Sequence, residues 1–282
     1  MIEHPYKQGT PEWKQARRGV ITASRAAAVR RTDGLTPQQR LYVDAMKAGR
    51  GEAASRAAAG YKAAPTSETV ARALAGKLTL EFGEAAHTYA KEVARERAGG
   101  QEPEGFQGMA QRIGHEEEQF AAIEYVARTG RDVEEAFFIT TDDLKFGMSL
   151  DRWVQKRTGA LEVKTMVSSS TLFDAMVDGD ISEYRDQCLF GLWLLRLQWM
   201  DLGLWCPDLQ ALRIIRIERD EDEIQRLEDD LLAFDKLVCH YETSLLAAMG
   251  RSPAPAAEPP PWVESPAPAP TPKAAALAMP DF

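Results

Sequence analysis

The stretch SLDRWVQKRTGALEVKT, residues 149–165, predicts a β-hairpin that carries three charged side chains. Apolar residues recur along both arms, and the polar turn between them ends at Gly159, as hairpin turns prefer. Side chains two apart in a strand face the same side, so Glu162 and Lys164 project together while their neighbours point into the core. If the arms pair, Asp151 lies beside Glu162. The hairpin therefore predicts two carboxylates and an ammonium group at one place on a sheet.

Two carboxylates that converge at the edge of a strand form a set of hard oxygen donors, which suits Mg²⁺. A cation held there could lower the pKa of a bound water and neutralise charge on a phosphoryl oxygen. Lys164, next to that cation, could orient the water or help to deprotonate it. The alternative interpretation is an ordinary ion pair of Glu162 with Lys164 on a solvated strand face, because the E-x-K pattern is common.

Two predicted helices carry polar residues that could complete this site. The helix predicted for residues 109–129 contains three consecutive glutamates, residues 116–118. They either compensate the helix dipole or supply one acid that faces the hairpin. The helix predicted for residues 179–199 carries Tyr184 and Gln187 one turn apart. These two side chains either satisfy each other or hold the metal-binding strands or the substrate.

The composition bounds the class of protein. The 282 residues are 44% hydrophobic and 27% charged, which is typical of a soluble globular protein with no membrane span. The three widely spaced cysteines match neither disulfide nor zinc patterns and favour a reducing cytoplasm. The net charge of −9 argues against non-specific coating of nucleic acid. Residues 1–60 nevertheless carry 11 Lys and Arg against 5 Asp and Glu, so a basic front could direct a polyanion into a cleft.

Strands alternate with helices along the chain, which predicts an α/β fold with a mixed β-sheet flanked by helices. A short helix is predicted to begin near Arg25, with Thr22 or Ser24 as its cap. Further strands and a closing helix are predicted, in that order, at residues 133–141, 199–208, 211–220 and 220–243.

The domain organisation follows from shifts in composition. Residues 1–248 are predicted to form one folded domain, within which residues 32–108 are an Ala-rich helical arm or insertion. Residues 249–282 are rich in Pro and Ala and predict a disordered tail. Its acidic tip, ending in Phe282, is either an inert end or a docking element for a protein partner.

Five motifs, in this order, resemble the phage lambda exonuclease and YqaJ-type viral recombinase family of the PD-(D/E)XK nuclease superfamily: W…RRGVITAS, GHEEEQFA, SLDRW, LEVK and YRDQ. The resemblance extends discontinuously from about Trp13 to the 240s, with residues 32–108 poorly matched and the tail unmatched. It implies a restriction-endonuclease-like core with a helical insertion.

The resemblance also implies roles for individual residues. Lys164 resembles the catalytic lysine of the family, and Gln187 the glutamine of its Y-x-x-Q element. Glu118 matches the helical acid of a G-x-x-x-E pattern, which leaves the other two glutamates as bystanders. The implied metal ligands are three acids and one main-chain carbonyl: Asp151, Glu162, Glu118 and Val163.

The segment near the N-terminus resembles the part of the family that grips the 5′-phosphate end of DNA. Arg17, Thr22 and Ser24 fall in this segment, and a guanidinium with hydroxyls is suited to a terminal phosphate. Arg17 is otherwise a solvated surface arginine. We assign Tyr184 to DNA binding as well.

One motif departs from the family pattern. The family often has Ser-Pro-Asp-Gly where this chain has Ser-Leu-Asp-Arg, residues 149–152. The aspartate is retained, so we expect the metal site to be retained, but the tight Pro/Gly turn is absent.

The resemblance implies a Mg²⁺-dependent 5′-to-3′ exonuclease that acts on linear double-stranded DNA. It would leave 3′ single-stranded overhangs for phage recombination by single-strand annealing. The cofactor would be one or two Mg²⁺ ions, with Mn²⁺ as a substitute. A ring-shaped homotrimer, a phage single-strand annealing protein as partner, and a phage- or prophage-encoded origin in the bacterial cytoplasm are implied as well.

Two other functions are compatible with the same residues. One is a restriction-like or repair endonuclease of the same superfamily, which would cut closed circular DNA. The other is a non-catalytic module that binds DNA ends or a recombination partner, which would retain end binding without metal-dependent cleavage.

Overall fold

Two mixed β-sheets and their flanking helices make up the part of the chain that the computed structural model describes, residues 1–101 and 109–252. The predicted α/β class with flanking helices is confirmed, but the strands divide between two sheets instead of forming one. The predicted tail lies outside the described residues from residue 253 onward. Among the described residues, no helix combines the length and apolar composition that a membrane span needs.

The described strands are, in chain order, β1 (Ile2–His4), β2 (Ile21–Thr22), β3 (Val133–Glu135), β4 (Phe138–Thr140), β5 (Phe146–Ser149), β6 (Arg152–Val154), β7 (Gly159–Thr165), β8 (Trp199–Cys206) and β9 (Ala211–Glu218). The α-helices are α1 (Pro11–Arg17), α2 (Pro37–Lys47), α3 (Glu52–Ala58), α4 (Glu68–Leu74), α5 (Glu84–Arg97), α6 (Met109–Thr129), α7 (Ser169–Leu172), α8 (Ser182–Leu195) and α9 (Glu221–Ala248). A 3₁₀ helix spans Ala23–Val29, and a π-helical turn spans Phe173–Val177.

The first sheet has the order β1-β4-β5-β2 and the second the order β3-β6-β7-β8-β9. In the second sheet β7 and β8 are parallel and the other neighbours are antiparallel. The hairpin predicted for residues 149–165 is formed by β6 and β7, with Arg152 opposite Leu161. β5 in the first sheet leads into β6 in the second through Leu150 and Asp151. The chain therefore crosses between the sheets at Asp151.

The single strand predicted for residues 133–141 is instead two strands in different sheets. β3 pairs with β6 in the second sheet, and β4 pairs with β5 in the first. The break at Ala136 and Phe137 lies beside the crossing that joins β5 to β6. β3 and β4 form one arm of a long hairpin and β5 and β6 the other, and both arms bend at this point. The sequence has no Gly or Pro at this break, so the bend was not visible in the sequence.

The second sheet has a helix on each face. On one face Leu161 and Val163 pack with Ala121 and Tyr125 of α6. On the other face the same strand presents Glu162 toward α8. Leu161 is fully buried, as the alternation of the hairpin predicted.

The helical segment 32–108 contains two kinds of helix. Helices α2, α3 and α4 pack on one another through a small separate cluster that includes Tyr42 and Val70. By contrast, α5 packs against α9 and the 3₁₀ helix and belongs to the main core, where Tyr89 stacks on Phe234. This arrangement brings α5 close to the N-terminal segment.

Gly159, the first residue of β7, lies directly against the ring of Trp199. A Cβ atom added at Gly159 would come within 2.2 Å of that ring. The ring cannot move freely, because the Arg216 guanidinium stacks on it at 3.9 Å and is itself hydrogen-bonded to the buried Asp201. The hairpin therefore requires glycine here for close packing.

We expect Gly159→Ala to lower the free energy of unfolding by about 2 kcal/mol, since overpacking a rigid site has a cost of this order. Urea unfolding followed by circular dichroism measures the change. Gly114→Ala within α6 is the control, because the added Cβ makes only an ordinary 4.0 Å contact and alanine favours the helix. Equal midpoints for Gly159→Ala and the wild type would contradict the packing argument.

Candidate active site

The hairpin brings Asp151 and Glu162 side by side. The pairing of Arg152 with Leu161 places the two acids next to each other, and Asp151 Oδ2 accepts a hydrogen bond from the Val163 amide at 2.7 Å. Glu162 is 3% exposed. The two carboxylates are thus fixed by the backbone register of β6 and β7 and are held away from bulk water.

Lys164 and Gln187 both bind the same oxygen of Glu162. Lys164 Nζ donates to Glu162 Oε1 at 2.9 Å, and Gln187 Nε2 from α8 donates to that atom as well. The Tyr184 ring, one turn before Gln187, lies 6.0 Å from Lys164 Nζ. Helix α8 therefore places Tyr184 next to Lys164 and Gln187 next to Glu162. Gln187 fixes the orientation of the Glu162 carboxylate.

The second oxygen of Glu162, Oε2, is buried and has no hydrogen-bond partner in the described part of the chain. A buried, unpaired carboxylate oxygen has a large desolvation cost, so it marks a position where a further ligand fits. Oxygen donors of this type suit a hard divalent cation. The residues present therefore fit a cation of the Mg²⁺ or Mn²⁺ type next to Glu162 Oε2.

The three glutamates of α6 have different surroundings. Glu116 is exposed, and Glu117 accepts a hydrogen bond from the Trp205 indole at 3.0 Å. Glu118 faces the hairpin and forms an ion pair with Arg152. Glu118 is therefore the glutamate of this run that the fold brings to the hairpin.

Arg152 shapes the geometry around Glu118. Burial raises the pKa of the Glu118 carboxyl, and the Arg152 guanidinium acts in the opposite direction. Within residues 1–101 and 109–252, no three Asp, Glu, His or Cys side chains come together in a metal-binding cluster.

The charges of the site are only partly compensated. Burial raises the pKa of Asp151 to about 7, and the Glu118 carboxylate contributes to the increase. Burial also raises the pKa of Glu162 to about 7, with a further contribution from Asp151. Burial acts to lower the pKa of Lys164, but the Glu162 and Asp151 carboxylates hold that pKa above its ordinary value. The site thus favours the binding of additional positive charge.

Arg17, Thr22 and Ser24 come together at the start of the 3₁₀ helix. One nitrogen of the Arg17 guanidinium lies 3.3 Å from both the Thr22 and the Ser24 hydroxyl oxygens. Ser24 is exposed and Thr22 is buried beneath it. This cluster, the hydroxyl–guanidinium cluster, offers donors of the kind that bind a phosphate.

The cluster is connected to the carboxylates through Trp13. The Arg17 guanidinium lies over the Trp13 ring at 5.0 Å, and the Trp13 indole donates to the Ser149 hydroxyl at 3.2 Å. A cleft of about 60 Å³ is lined by Trp13, Asp151 and Glu118, among others. Contacts through Trp13 therefore link the hydroxyl–guanidinium cluster to the segment that leads into Asp151.

Tyr89 is a residue of this region that sequence reasoning missed. Its hydroxyl accepts a hydrogen bond from the Thr22 amide at 2.9 Å, and the Arg25 guanidinium lies over its ring at 4.2 Å. Burial raises the pKa of Tyr89, so its hydroxyl stays protonated and neutral. No sequence signal connects Tyr89 with Thr22, which lies 67 residues away.

A protein-family model described as the YqaJ-like viral recombinase domain matches residues 12–194. The match covers more than half of the chain and includes the hairpin, Glu118 and the hydroxyl–guanidinium cluster. The chain belongs to the YqaJ-like viral recombinase family. The resemblance drawn from the five motifs is thus confirmed. A comparison with curated proteins gave no match.

The YqaJ-like fold is shared with solved exonuclease structures. The alkaline exonuclease LHK-Exo of Laribacter hongkongensis is 24% identical, with a TM-score of 0.59, and the match covers 86% of this chain and 99% of that one. Its complex with dAMP is 26% identical over the same shares, with a TM-score of 0.57. A phage-related exonuclease of Haemophilus somnus 129PT is 14% identical, with a TM-score of 0.51, over 84% and 99% of the chains. Together with the family, these similarities support a nuclease, and hence a hydrolase.

The raised pKa of Glu162 leads to a prediction about stability. The contribution of Glu162 to stability is fully present below about pH 4.5, where its carboxyl is protonated in both states, and is lost as the pH rises through about 7. In EDTA at about pH 8 we expect Glu162→Gln to raise the free energy of unfolding by about 2 kcal/mol. At about pH 5 this gain should fall by more than half. Denaturant unfolding at both pH values measures it.

The exposed Glu116→Gln removes the same charge from the surface and is the control for this experiment. We expect it to change stability by a few tenths of a kcal/mol at most. A gain for Glu162→Gln that is equal at both pH values would contradict the assignment of a buried, costly charge.

Proposed function

We propose that this chain is a divalent-metal-dependent exonuclease that digests linear double-stranded DNA from the 5′ end and leaves 3′ single-stranded overhangs. The observation that carries the proposal is the unpaired, buried Oε2 atom of Glu162 beside Asp151 and Lys164. Family membership supports a nuclease, and the arrangement of these side chains supports a hydrolytic site for a phosphodiester.

In this proposal Asp151, Glu162, the Val163 main-chain carbonyl and Glu118 hold one or two Mg²⁺ ions, or Mn²⁺ as a substitute. Such an ion, when bound, activates water and neutralises charge on the leaving oxygen of an in-line displacement. The chain's own contribution is to fix the donors. The Val163 amide orients Asp151, and Gln187 orients Glu162, so both carboxylates are positioned before a ligand arrives.

Lys164 acts in the proposal as a charged donor. The pKa of its ammonium group is held above the ordinary value by Glu162 and Asp151, so the group carries a proton at neutral pH. A protonated lysine cannot accept the proton of the attacking water. It can orient that water and offset charge on the phosphate, and this is the role we propose. Tyr184, next to Lys164, contacts the DNA in this proposal.

The hydroxyl–guanidinium cluster is proposed to bind the 5′-phosphate at the DNA end. Arg17 supplies the charge, and the hydroxyls of Thr22 and Ser24 supply further donors. The basic surplus of residues 1–60 supports this role, since it favours the approach of a polyanion. A terminal phosphate held there would place the first phosphodiester near the carboxylates, because Trp13 contacts both Arg17 and Ser149, which lies two residues before Asp151.

The remaining parts of the proposal rest on the resemblance to the lambda exonuclease type. Residues 1–248 would be the exonuclease domain with residues 32–108 as its helical arm. The chain would assemble as a homotrimer in the bacterial cytoplasm and pass its 3′ overhang to a phage single-strand annealing protein. The tail of residues 249–282 is a separate candidate for contact with a protein partner.

We expect Asp151→Ala, Glu162→Ala and Lys164→Ala each to reduce Mg²⁺-dependent digestion of linear duplex DNA by at least about a hundredfold, because each removes a donor or charge at the reacting phosphate. Release of nucleotides over time measures the rate, and circular dichroism checks the fold. Closed circular duplex should stay intact with the wild type.

Asp208→Ala and Lys156→Ala remove the same kinds of charge from exposed turns and are the matched controls. Full activity in any of the three site variants would refute the site assignment. Cleavage of closed circles would favour an endonuclease. Binding of DNA ends by the wild type without any cleavage in Mg²⁺ or Mn²⁺ would favour the non-catalytic module.

The chemical state of the 5′ end should affect the rate of digestion. We expect the wild type to digest 5′-phosphorylated duplex faster than 5′-hydroxyl duplex, and Arg17→Ala and Ser24→Ala to reduce this preference by about tenfold, the value of a charge-assisted hydrogen bond. Parallel time courses on the two substrates measure the preference. Arg18→Ala carries the same charge change and should keep it. Equal wild-type rates on both ends would show that the cluster does not select phosphate.

A further inference from the structure

Arg152 places a cation inside the carboxylate site. It follows Asp151 directly, and its guanidinium donates to the Glu118 carboxylate and, at 2.5 Å, to the main-chain carbonyl of Asp151. The Arg152 and Glu118 side chains are only 19% and 16% exposed. This ion pair is therefore shielded from the screening that weakens surface pairs.

Arg152 stands at one of the two positions at which the chain departs from the Ser-Pro-Asp-Gly pattern, in place of the glycine. A glycine there would leave Glu118 without this guanidinium. With arginine, the site contains three carboxylates and two cations, and each cation forms an ion pair with a different carboxylate. Lys164 pairs with Glu162, and Arg152 pairs with Glu118.

A guanidinium and a divalent cation compete for the same charge on a carboxylate. A metal ion that uses Glu118 as a ligand must displace Arg152 or share the carboxylate with it, while an ion held by Asp151 and Glu162 alone still experiences the repulsion of a nearby positive charge. In either case the presence of Arg152 weakens the binding of the ion. In the protein without metal, the same guanidinium offsets the mutual repulsion of the three acids.

We propose that Arg152 is a built-in counter-cation of this site: it compensates Glu118 in the absence of a divalent ion and competes with the ion when it binds, and so sets the metal affinity. This inference rests on the proposed function, because it takes the carboxylates as the metal site. Arg152 acts through Glu118 and is a positioning residue in this scheme. Its removal should make the free protein less stable and its metal binding tighter.

The test is the binding of Mg²⁺ and of Ca²⁺ to the full chain without DNA, measured by titration calorimetry, together with the thermal midpoint in EDTA and in excess metal. We expect Arg152→Gln to bind both ions about tenfold more tightly than the wild type. Its midpoint in EDTA should fall by several degrees, and the rise on adding metal should be larger than in the wild type. Arg152→Lys keeps the charge and should retain an affinity close to that of the wild type.

Arg157→Gln is the matched control. It removes the same charge from the turn of the same hairpin, where the Arg157 guanidinium contacts Glu3 at 2.9 Å and Glu134. We expect its metal affinity to equal that of the wild type. A merely structural role for Arg152 would lower the midpoint without tightening metal binding.

The outcomes separate this inference from the proposed function. Unchanged or weaker metal binding by Arg152→Gln, with wild-type binding that is abolished by Asp151→Ala, would overturn the inference and leave the metal site in place. Absence of any Mg²⁺ or Ca²⁺ binding by the wild type would overturn both. Tighter binding by Arg152→Gln but not by Arg157→Gln would support the inference.

Discussion

The hydrogen bond from the Val163 amide to the Asp151 carboxylate is the contact on which the rest of the site depends. It joins the crossing between the two sheets to β7, the central strand of the second sheet. A slip of one residue between β6 and β7 would turn Glu162 and Lys164 toward α6 and bury them among apolar side chains. The register, the packing of α6 and the convergence of the carboxylates therefore follow from a single arrangement.

Local patterns predicted most of the elements near the site. The hairpin and the long helices α6 and α9 were predictable because side-chain periods of 2 and 3.6 mark the faces that pack in a core. The two late strands were predictable as short runs rich in apolar residues. The division of residues 133–141 between two sheets was not, because no Gly or Pro marks the break at Ala136 and Phe137. The packing of α5 in the main core was also not predictable, since Ala-rich helices indicate little about their partners.

The site could be predicted from the sequence only in part. The pairing of Asp151 with Glu162 follows from strand geometry, but the choice of Glu118 from three glutamates depended on the family resemblance. In the structure it depends on long-range contacts, since Glu117 binds the indole of Trp205, 88 residues away. Tyr89 is a similar case, because its contact with Thr22 spans 67 residues. Contacts at such separations leave no local pattern.

A comparison of two buried acids shows what is special about Glu162. Asp201 lies on the neighbouring strand, is 1% exposed, and accepts hydrogen bonds from Tyr125, Arg131 and Arg216. Glu162 is equally buried, but one of its oxygens has no partner in the described part of the chain. The same sheet thus satisfies one buried carboxylate fully and leaves the other open. Because the fold is able to compensate such a charge, the open oxygen of Glu162 is better explained by a ligand than by a limit of the fold.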